Sequence, residues 1–278
     1  MVKKKTKIEI SGWGIFGLIC LAFVLIGVGS CSYDTYMRNS YDYPVHIQEA
    51  LSKKKFEKAY KIIGKWTKYK GYGLFNDKEK AKIDSYKEFV LSEEIRLAIL
   101  NGELNRIEDI ASWREGGIER LPRILQSQKM LIFSRLKMVD EPTLKALCSY
   151  MNTSELMGAY IEAVGGNKSM ILSFISGLSI GRDVATTGTV VGKDILDANM
   201  RYMQGVERYN DACNVALDYA ISIKDKDFAQ KIVTMFKRTL DVFVSNDKWF
   251  TKDDEYYYQY SDKPIEEAKR KFEMAFKN

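Results

Sequence analysis

The residues able to do chemistry are few, and their spacing suits none of the common reactions. His46 is the only histidine in the chain, which rules out a histidine-based triad, a two-histidine zinc site and an H-E-x-x-H motif. It is expected as a solvated surface residue. Carboxylates come in neighbouring sets: Glu93-Glu94, Glu108-Asp109 and Asp253-Asp254-Glu255. Adjacent positions on a helix point to different sides, so none of these sets makes an acid–base pair by local geometry. A site assembled from distant carboxylates stays open, but no motif marks one.

A phosphate-binding loop needs four residues between its glycines and a Ser or Thr after the lysine. In Gly188 to Asp194, G-T-V-V-G-K-D, only three residues separate Gly188 from Gly192, and Asp194 follows Lys193. A carboxylate there repels phosphate, so the stretch reads as a connection between helices with Asp194 as a cap. Of the four cysteines, Cys20 lies in an apolar run and Cys31 at its end, leaving Cys148 and Cys213. Both fall in helical patterns and are expected as buried thiols, with a disulfide between them left open. No catalytic residue, cofactor or metal-ligand set emerges, and a non-catalytic protein is expected over an enzyme.

The most lopsided charge lies in Lys53 to Lys87, with twelve lysines against four acidic residues and with Tyr60, Trp66, Tyr69, Tyr72 and Phe75 interleaved. Lys53, Lys54, Lys55, Lys65, Lys68 and Lys70 are candidates for contact with anionic lipid or another polyanion. The alternative is a solvated helix face with inward aromatics, and Trp66 on the apolar stripe favours it. A second aromatic cluster, Tyr256 to Tyr258 with Tyr260, suits either a contact patch or the end of a bundle.

The elements that must carry these residues begin with the leader. Lys3, Lys4, Lys5 and Lys7 precede an uncharged run from Gly12 to Gly29. Its length falls between the 7 to 15 residues or so of a signal-peptide core and the roughly 20 of a span. Only Arg38 follows it among basic residues before Lys53, so the positive-inside rule sends the C-terminal body out of the cytoplasm. Removing residues 1–30 leaves 278 − 30 = 248 residues and a net charge of +6 − 3 = +3. That is long enough for a real core and too mildly basic for nucleic acid to be a partner.

Two readings stand for the end of the run. One is an uncleaved single-span anchor. In the other, Val28-Gly29-Ser30-Cys31 resembles the lipobox of a bacterial lipoprotein signal peptide. That resemblance implies cleavage before Cys31 and acylation of its thiol. Either way residues 1–31 attach the chain to a membrane, residues 32–44 act as a tether, and residues 45–278 form an extracytoplasmic α-helical domain, periplasmic or on the cell surface.

Within that domain, four prolines in the whole chain and apolar residues at helical spacing predict an all-α bundle or superhelix of antiparallel hairpins. Expected helices cover Val45 to Leu51, Phe56 to Trp66, Lys78 to Leu100 with Asn76-Asp77 as its cap, and Leu104 to Trp113. Others cover Leu121 to Val139 with Pro122 in the first turn, a helix that Asp140 and Pro142 start and that runs to Val164 with an interruption at the capping-type cluster Asn152-Thr153-Ser154, and a helix through Met170 to Leu178 capped by Asn167. The last three are Leu196 to Ala220, Phe228 to Val244 and Pro264 to Phe276. Ser179 to Lys193 reads as non-helical. Three corners look alike: A-L-S-K-K-K-F from Ala50, A-I-L-N-G-E-L from Ala98 and A-I-S-I-K-D-K from Ala220. The first resembles the inter-helix corner of a tetratricopeptide repeat, with Phe56 and Ala59 at the docking positions. Ile107 and Lys231 replace the small residue in the others, and no 34-residue period links them. The expected function is a membrane-anchored scaffold or adaptor with a protein partner. The alternative is an envelope binding protein or enzyme with a small-molecule cleft near residues 179–193.

Overall fold

The computed structural model describes residues 12–71, 76–178, 193–245 and 258–277, and these are all-α, with no strand among the described residues. The chain divides into two compact units between Glu94 and Ile95.

Unit 1 opens with α1 (Gly12–Asn39). No proline interrupts this helix, so it runs through Cys31 and absorbs the segment expected as a tether up to Asn39. Its side chains from Ile19 to Tyr36 are exposed, Phe23 reaching 70%, whereas Met37 is 2% exposed. The stretch Ile19–Asn39 is long and apolar enough to cross a membrane by length and composition.

A tight turn leads into α2 (Tyr43–Ser52), two residues earlier than the expected Val45. The cause is a Asp-x-Pro start. Asp42 accepts the Val45 amide at 3.2 Å, and Pro44 sits in the first turn, where a missing amide hydrogen is harmless. α3 (Phe56–Trp66) buries Ala59, Ile62, Ile63 and Trp66 on one face. A wide π turn over Thr67–Gly71 follows it and packs on α1. Then α4 (Asp77–Leu100) starts with the Glu79 amide donating to Asn76 at 3.3 Å, as the sequence predicts.

Unit 2 takes over within α4. A 3-10 turn (Leu104–Arg106) leads into α5 (Ile107–Ser112). The helix expected from Leu121 to Val139 is instead three pieces: α6 (Gly117–Ser127), α7 (Lys129–Phe133) and a 3-10 turn (Leu136–Met138). It also starts four residues early, which puts Pro122 inside α6 rather than in its first turn. Gly116 and Gly117 account for the early start. Gly116 takes φ +63°, and a Cβ on Gly117 would lie 2.2 Å from the Ala111 carbonyl oxygen, so only glycine lets α6 begin tight against α5.

α8 (Glu141–Cys148), α9 (Thr153–Ala163) and α10 (Lys168–Gly177) each start from the expected polar cap. The carboxylate of Asp140 accepts the Thr143 amide at 2.8 Å; Asn152 and Asn167 serve Glu155 and Met170 in the same way. α11 (Lys193–Ser222) and α12 (Lys226–Ser245) form the main hairpin, with α9 against α11. A π turn (Tyr258–Asp262) precedes α13 (Lys263–Phe276), which packs on α12. Asp262-Lys263-Pro264 repeats the Asp-x-Pro pattern without capping, because the π turn already holds Asp262 at helical φ −72°, ψ −44°.

The three similar corners share one backbone device. Lys54, Gly102 and Lys224 sit at φ +53°, +79° and +56°. In each, the next amide donates back to the alanine carbonyl: Lys55 to Ala50 at 2.9 Å, Glu103 to Ala98 at 2.8 Å and Asp225 to Ala220 at 3.0 Å. This is a Schellman ending, which satisfies carbonyls orphaned at a helix C-terminus. Gly165 and Gly166 end α9 in the same way, with the Gly166 amide 2.9 Å from the Ile161 carbonyl.

Candidate functional site

Two places gather side chains of potential function, one in each unit. The first is the root of α1. Aromatic rings run in contact from Tyr36 to Tyr41 (6.1 Å between centroids), Tyr41 to Tyr43 (4.8 Å) and Tyr43 to Trp66 (5.5 Å, 8° from parallel). The series continues to Tyr86 (5.4 Å) and Phe89 (6.4 Å). Trp66 is 1% exposed and its indole N–H donates to the Glu79 carboxylate. The Tyr43 hydroxyl donates to the Met37 carbonyl, which pins the last turn of α1 to the core. Burial pushes the Tyr43 hydroxyl up to about 12, so it stays a donor across the physiological range.

Lysines line the outside of these rings. Lys65 Nζ donates to the Tyr33 hydroxyl at 2.9 Å and lies over its ring. Lys68 donates to the Tyr69 hydroxyl at 3.3 Å, and Tyr69 donates to Asp34 at 2.6 Å. Lys70 lies 5.7 Å from the Tyr43 ring centroid. The tyrosine hydroxyls hold the Lys65 and Lys68 ammonium groups above their ordinary range, so both are charged at neutral pH.

The structure separates the six candidate lysines into two groups. Lys65, Lys68 and Lys70 gather at the α3 end that meets α1. Lys53, Lys54 and Lys55 form the α2–α3 corner at the opposite end of that hairpin, one α3 length away, about 16 Å at 1.5 Å per residue. There Lys53 pairs with Glu49 at 2.6 Å. His46, expected in solvent, is half-buried instead: its ring stacks on Tyr41 at 4.4 Å, with Nδ1 3.6 Å from Glu49. Trp66 is core, as its place on the apolar stripe suggests, while its neighbour Lys65, about 100° further round the helix, is exposed.

The second place is a cleft of about 260 Å³ among α5, α6 and α8. Leu104, Ile107, Leu121, Leu125 and Leu147 make its walls, and Asn105, Glu108 and Tyr150 add the polar groups. Tyr150 donates to Glu108 at 2.8 Å, and burial together with that carboxylate pushes its hydroxyl up to about 12. Asp140 also borders the cleft, but its carboxylate caps α8 and is held below its usual range by Thr143. Both carboxylates are thus engaged in structure rather than poised for proton transfer.

Residues 179–192, where the alternative cleft was expected, lie outside the described residues, as do Gly188 and Gly192 of the glycine-bearing stretch. Tyr256 and Tyr257 do too, while Tyr258 is exposed and donates to Glu266 at 3.4 Å. Cys148 and Cys213 are both buried within helices, as expected. Burial pushes the Cys148 thiol up to about 12, which leaves it unreactive. Among the described residues, no three His, Cys, Asp or Glu side chains converge on a metal-sized space.

Local periodicity does not reveal Tyr33, Asp34 or the Tyr150–Glu108 pair. One signal was available. Tyr33 and Tyr36 stand three apart, directly after an apolar run with no intervening proline, which is the spacing of a helix that simply continues. The chain matches no known protein family, and it is similar to no curated protein and no solved structure.

Proposed function

We propose that this protein is a non-catalytic helical scaffold that is anchored in a membrane by α1 and holds a protein partner outside the cytoplasm. One observation carries the reading: a single unbroken helix is apolar and exposed from Ile19 to Val28, then buries Met37 in the core of unit 1. Bare aliphatic surface of that length is unfavourable in water, and a bilayer accommodates it. The lysines at positions 3, 4, 5 and 7 support an orientation with the N-terminus in the cytoplasm. An uncleaved span fits the helix better than a processed lipoprotein, because cleavage before Cys31 would leave only the stub Cys31–Asn39. The engaged carboxylates around the unit 2 cleft support a non-catalytic role.

Intact mass of protein extracted from its native membrane tests the anchor. The full-chain mass is expected; a mass for residues 31–278 plus lipid would replace the span by a lipoprotein. Placing arginine at Leu21 and Leu25 should abolish membrane retention, since each costs about 2.5–3.5 kcal/mol at a span centre. Neither side chain touches the folded body, being 55% and 64% exposed, so the melting temperature should not change.

The second reading, a small-molecule binding protein, draws on the apolar cleft of unit 2. Leu121→Trp would fill that cleft. Loss of partner capture with folding intact would favour the cleft as the binding site, and unchanged capture would leave the scaffold reading in place.

A further inference from the structure

We propose that Lys65, Lys68 and Lys70, with Tyr33 and Tyr36, form a collar that binds the phosphates of anionic phospholipids in the membrane holding α1. The inference rests on the anchor reading and specifies what the body does at the surface it emerges from.

Depth comes first. The exposed aliphatic stretch ends at Val28, and Tyr33 follows five residues later, about 7.5 Å along a helix. The headgroup layer beyond the hydrocarbon is roughly 5–7 Å thick. Tyr33, 46% exposed, therefore stands at its outer margin, at the level of an interfacial aromatic belt, and Tyr36, 52% exposed, lies one turn beyond on the water side. Lys65 Nζ lies 2.9 Å from the Tyr33 hydroxyl and so shares its depth. The π turn that carries Lys68 and Lys70 packs on the same end of α1.

Charge comes second. Among the described residues, the ammonium groups of Lys65, Lys68 and Lys70 rest on tyrosine rings or hydroxyls and none makes an ion pair with a carboxylate. An ammonium group has three donors, so each keeps at least two for a phosphate. Arg38 adds a fourth cation at the root. Among the described residues, the carboxylate bonded into the collar is Asp34, which accepts from Tyr69. The orientation set by the leader lysines does not conflict with a basic collar beyond the membrane. Insertion reads charges near the ends of the span along the chain, whereas Lys65 to Lys70 reach the membrane only once α2 and α3 have folded back.

The test is native mass spectrometry of the full detergent-solubilised chain with phosphatidylglycerol and phosphatidylcholine, which carry a net negative charge and none. The leader lysines contribute a constant background to every variant. The wild type should retain phosphatidylglycerol preferentially. K65Q/K68Q/K70Q should lose about tenfold or more of that preference, with each lysine near an anionic surface contributing roughly fivefold. K53Q/K54Q/K55Q, the same charge change at the far corner, should stay within about twofold of wild type. K65R/K68R/K70R should keep the preference. Lys70→Gln alone should show a fall of about threefold to fivefold, and as the Lys70 ammonium group donates no hydrogen bond among the described residues, it tests the collar even if the triple variant misfolds.

Equal losses at the collar and at the corner would overturn the proposal, as would a collar variant indistinguishable from wild type. Flotation with vesicles after a carbonate wash separates the two levels. Protein that leaves the vesicles whatever their composition defeats the anchor itself. Protein that stays, with a preference indifferent to the collar, defeats only the lipid site. In the second case, capture of an acidic protein by the same lysines would assign the collar to a protein ligand.

Discussion

Unit 1 and the α11–α12 hairpin of unit 2 solve the same packing problem with different emphasis: unit 1 stacks rings in series, and the hairpin sets a row of alanines beside Tyr209, Phe228 and Phe236. Unit 1 fills its interior with large rings: Tyr43 and Trp66 stack, and Tyr41 and Tyr86 flank them. In unit 2, α11 turns Ala212, Ala216 and Ala220 inward, each fully buried, and α12 answers with Ala229. Small residues let helix backbones approach closely, so the contact rests on fit between ridges and grooves. Rings with polar edges can instead pack and hydrogen-bond at once, and Tyr43 does both, serving the core and the end of α1 together. Tyr209 does the same inside the hairpin, its hydroxyl donating to the Met235 carbonyl at 3.0 Å, so unit 1 differs in stacking its rings in series rather than in using them.

The largest test of that contrast is Trp66→Ala. Removing the central ring should cost about 3–5 kcal/mol, measured by denaturant unfolding of the full chain in detergent. Trp66→Phe keeps a ring but deprives Glu79 of its donor and should cost less. A loss below about 1 kcal/mol for the alanine variant would show that the ring series is decorative. Unit 2 should break in the opposite direction, by enlargement. Ala216→Leu should cost about 1–3 kcal/mol through overpacking, whereas a neutral effect would mean the helices can part without strain.

Capping should matter less than either. Asp140→Ala should cost about 1 kcal/mol by removing the acceptor for the Thr143 amide. The sign with pH follows from the depressed carboxyl of Asp140. Its contribution is whole above the ordinary value of 3.8 and is lost as pH falls through the lower folded-state value. An acid titration of wild type against Asp140→Ala should therefore show the two curves converging only in strong acid. The smallest effect should be a gain. Lys224→Gly relieves a left-handed backbone at φ +56° and should stabilise the α11–α12 corner by about 0.5–1 kcal/mol. Destabilisation would mean the lysine side chain serves the corner in a way its backbone does not reveal.

The parts legible from the sequence are those decided within a few residues. The α3 boundaries, the caps at Asn76, Asp140, Asn152 and Asn167, and the likeness of the three corners all depend on neighbours three to five positions apart. The corner similarity was visible in residue types, although its cause, a left-handed position four residues after each alanine, needed the backbone. Where the reading failed, a contact across a turn or at longer range decided. Pro122 suggested a helix start, yet the demand of Ala111 for a bare Gly117 placed the start upstream. His46 is half-buried against Tyr41, a neighbour only five positions away but across the turn between α1 and α2, where helical periodicity does not carry over. The collar joins Tyr33 to Lys65 across 32 residues and Tyr69 to Asp34 across 35, and the cleft joins Tyr150 to Glu108 across 42. No periodicity of 3.6 residues encodes contacts at that range.

The absence of any break in α1 between its bare stretch and Met37 has a mechanical consequence. A flexible connector would let a load on the leading segment dissipate as slack. A helix transmits it as a stiff rod, and here the rod is fastened by the Tyr43 hydroxyl and by the Tyr69–Asp34 bond. Tilting or twisting α1 must therefore work as a lever on the Tyr43–Trp66 stack, so a pull at one end of the molecule is felt first among the rings of unit 1.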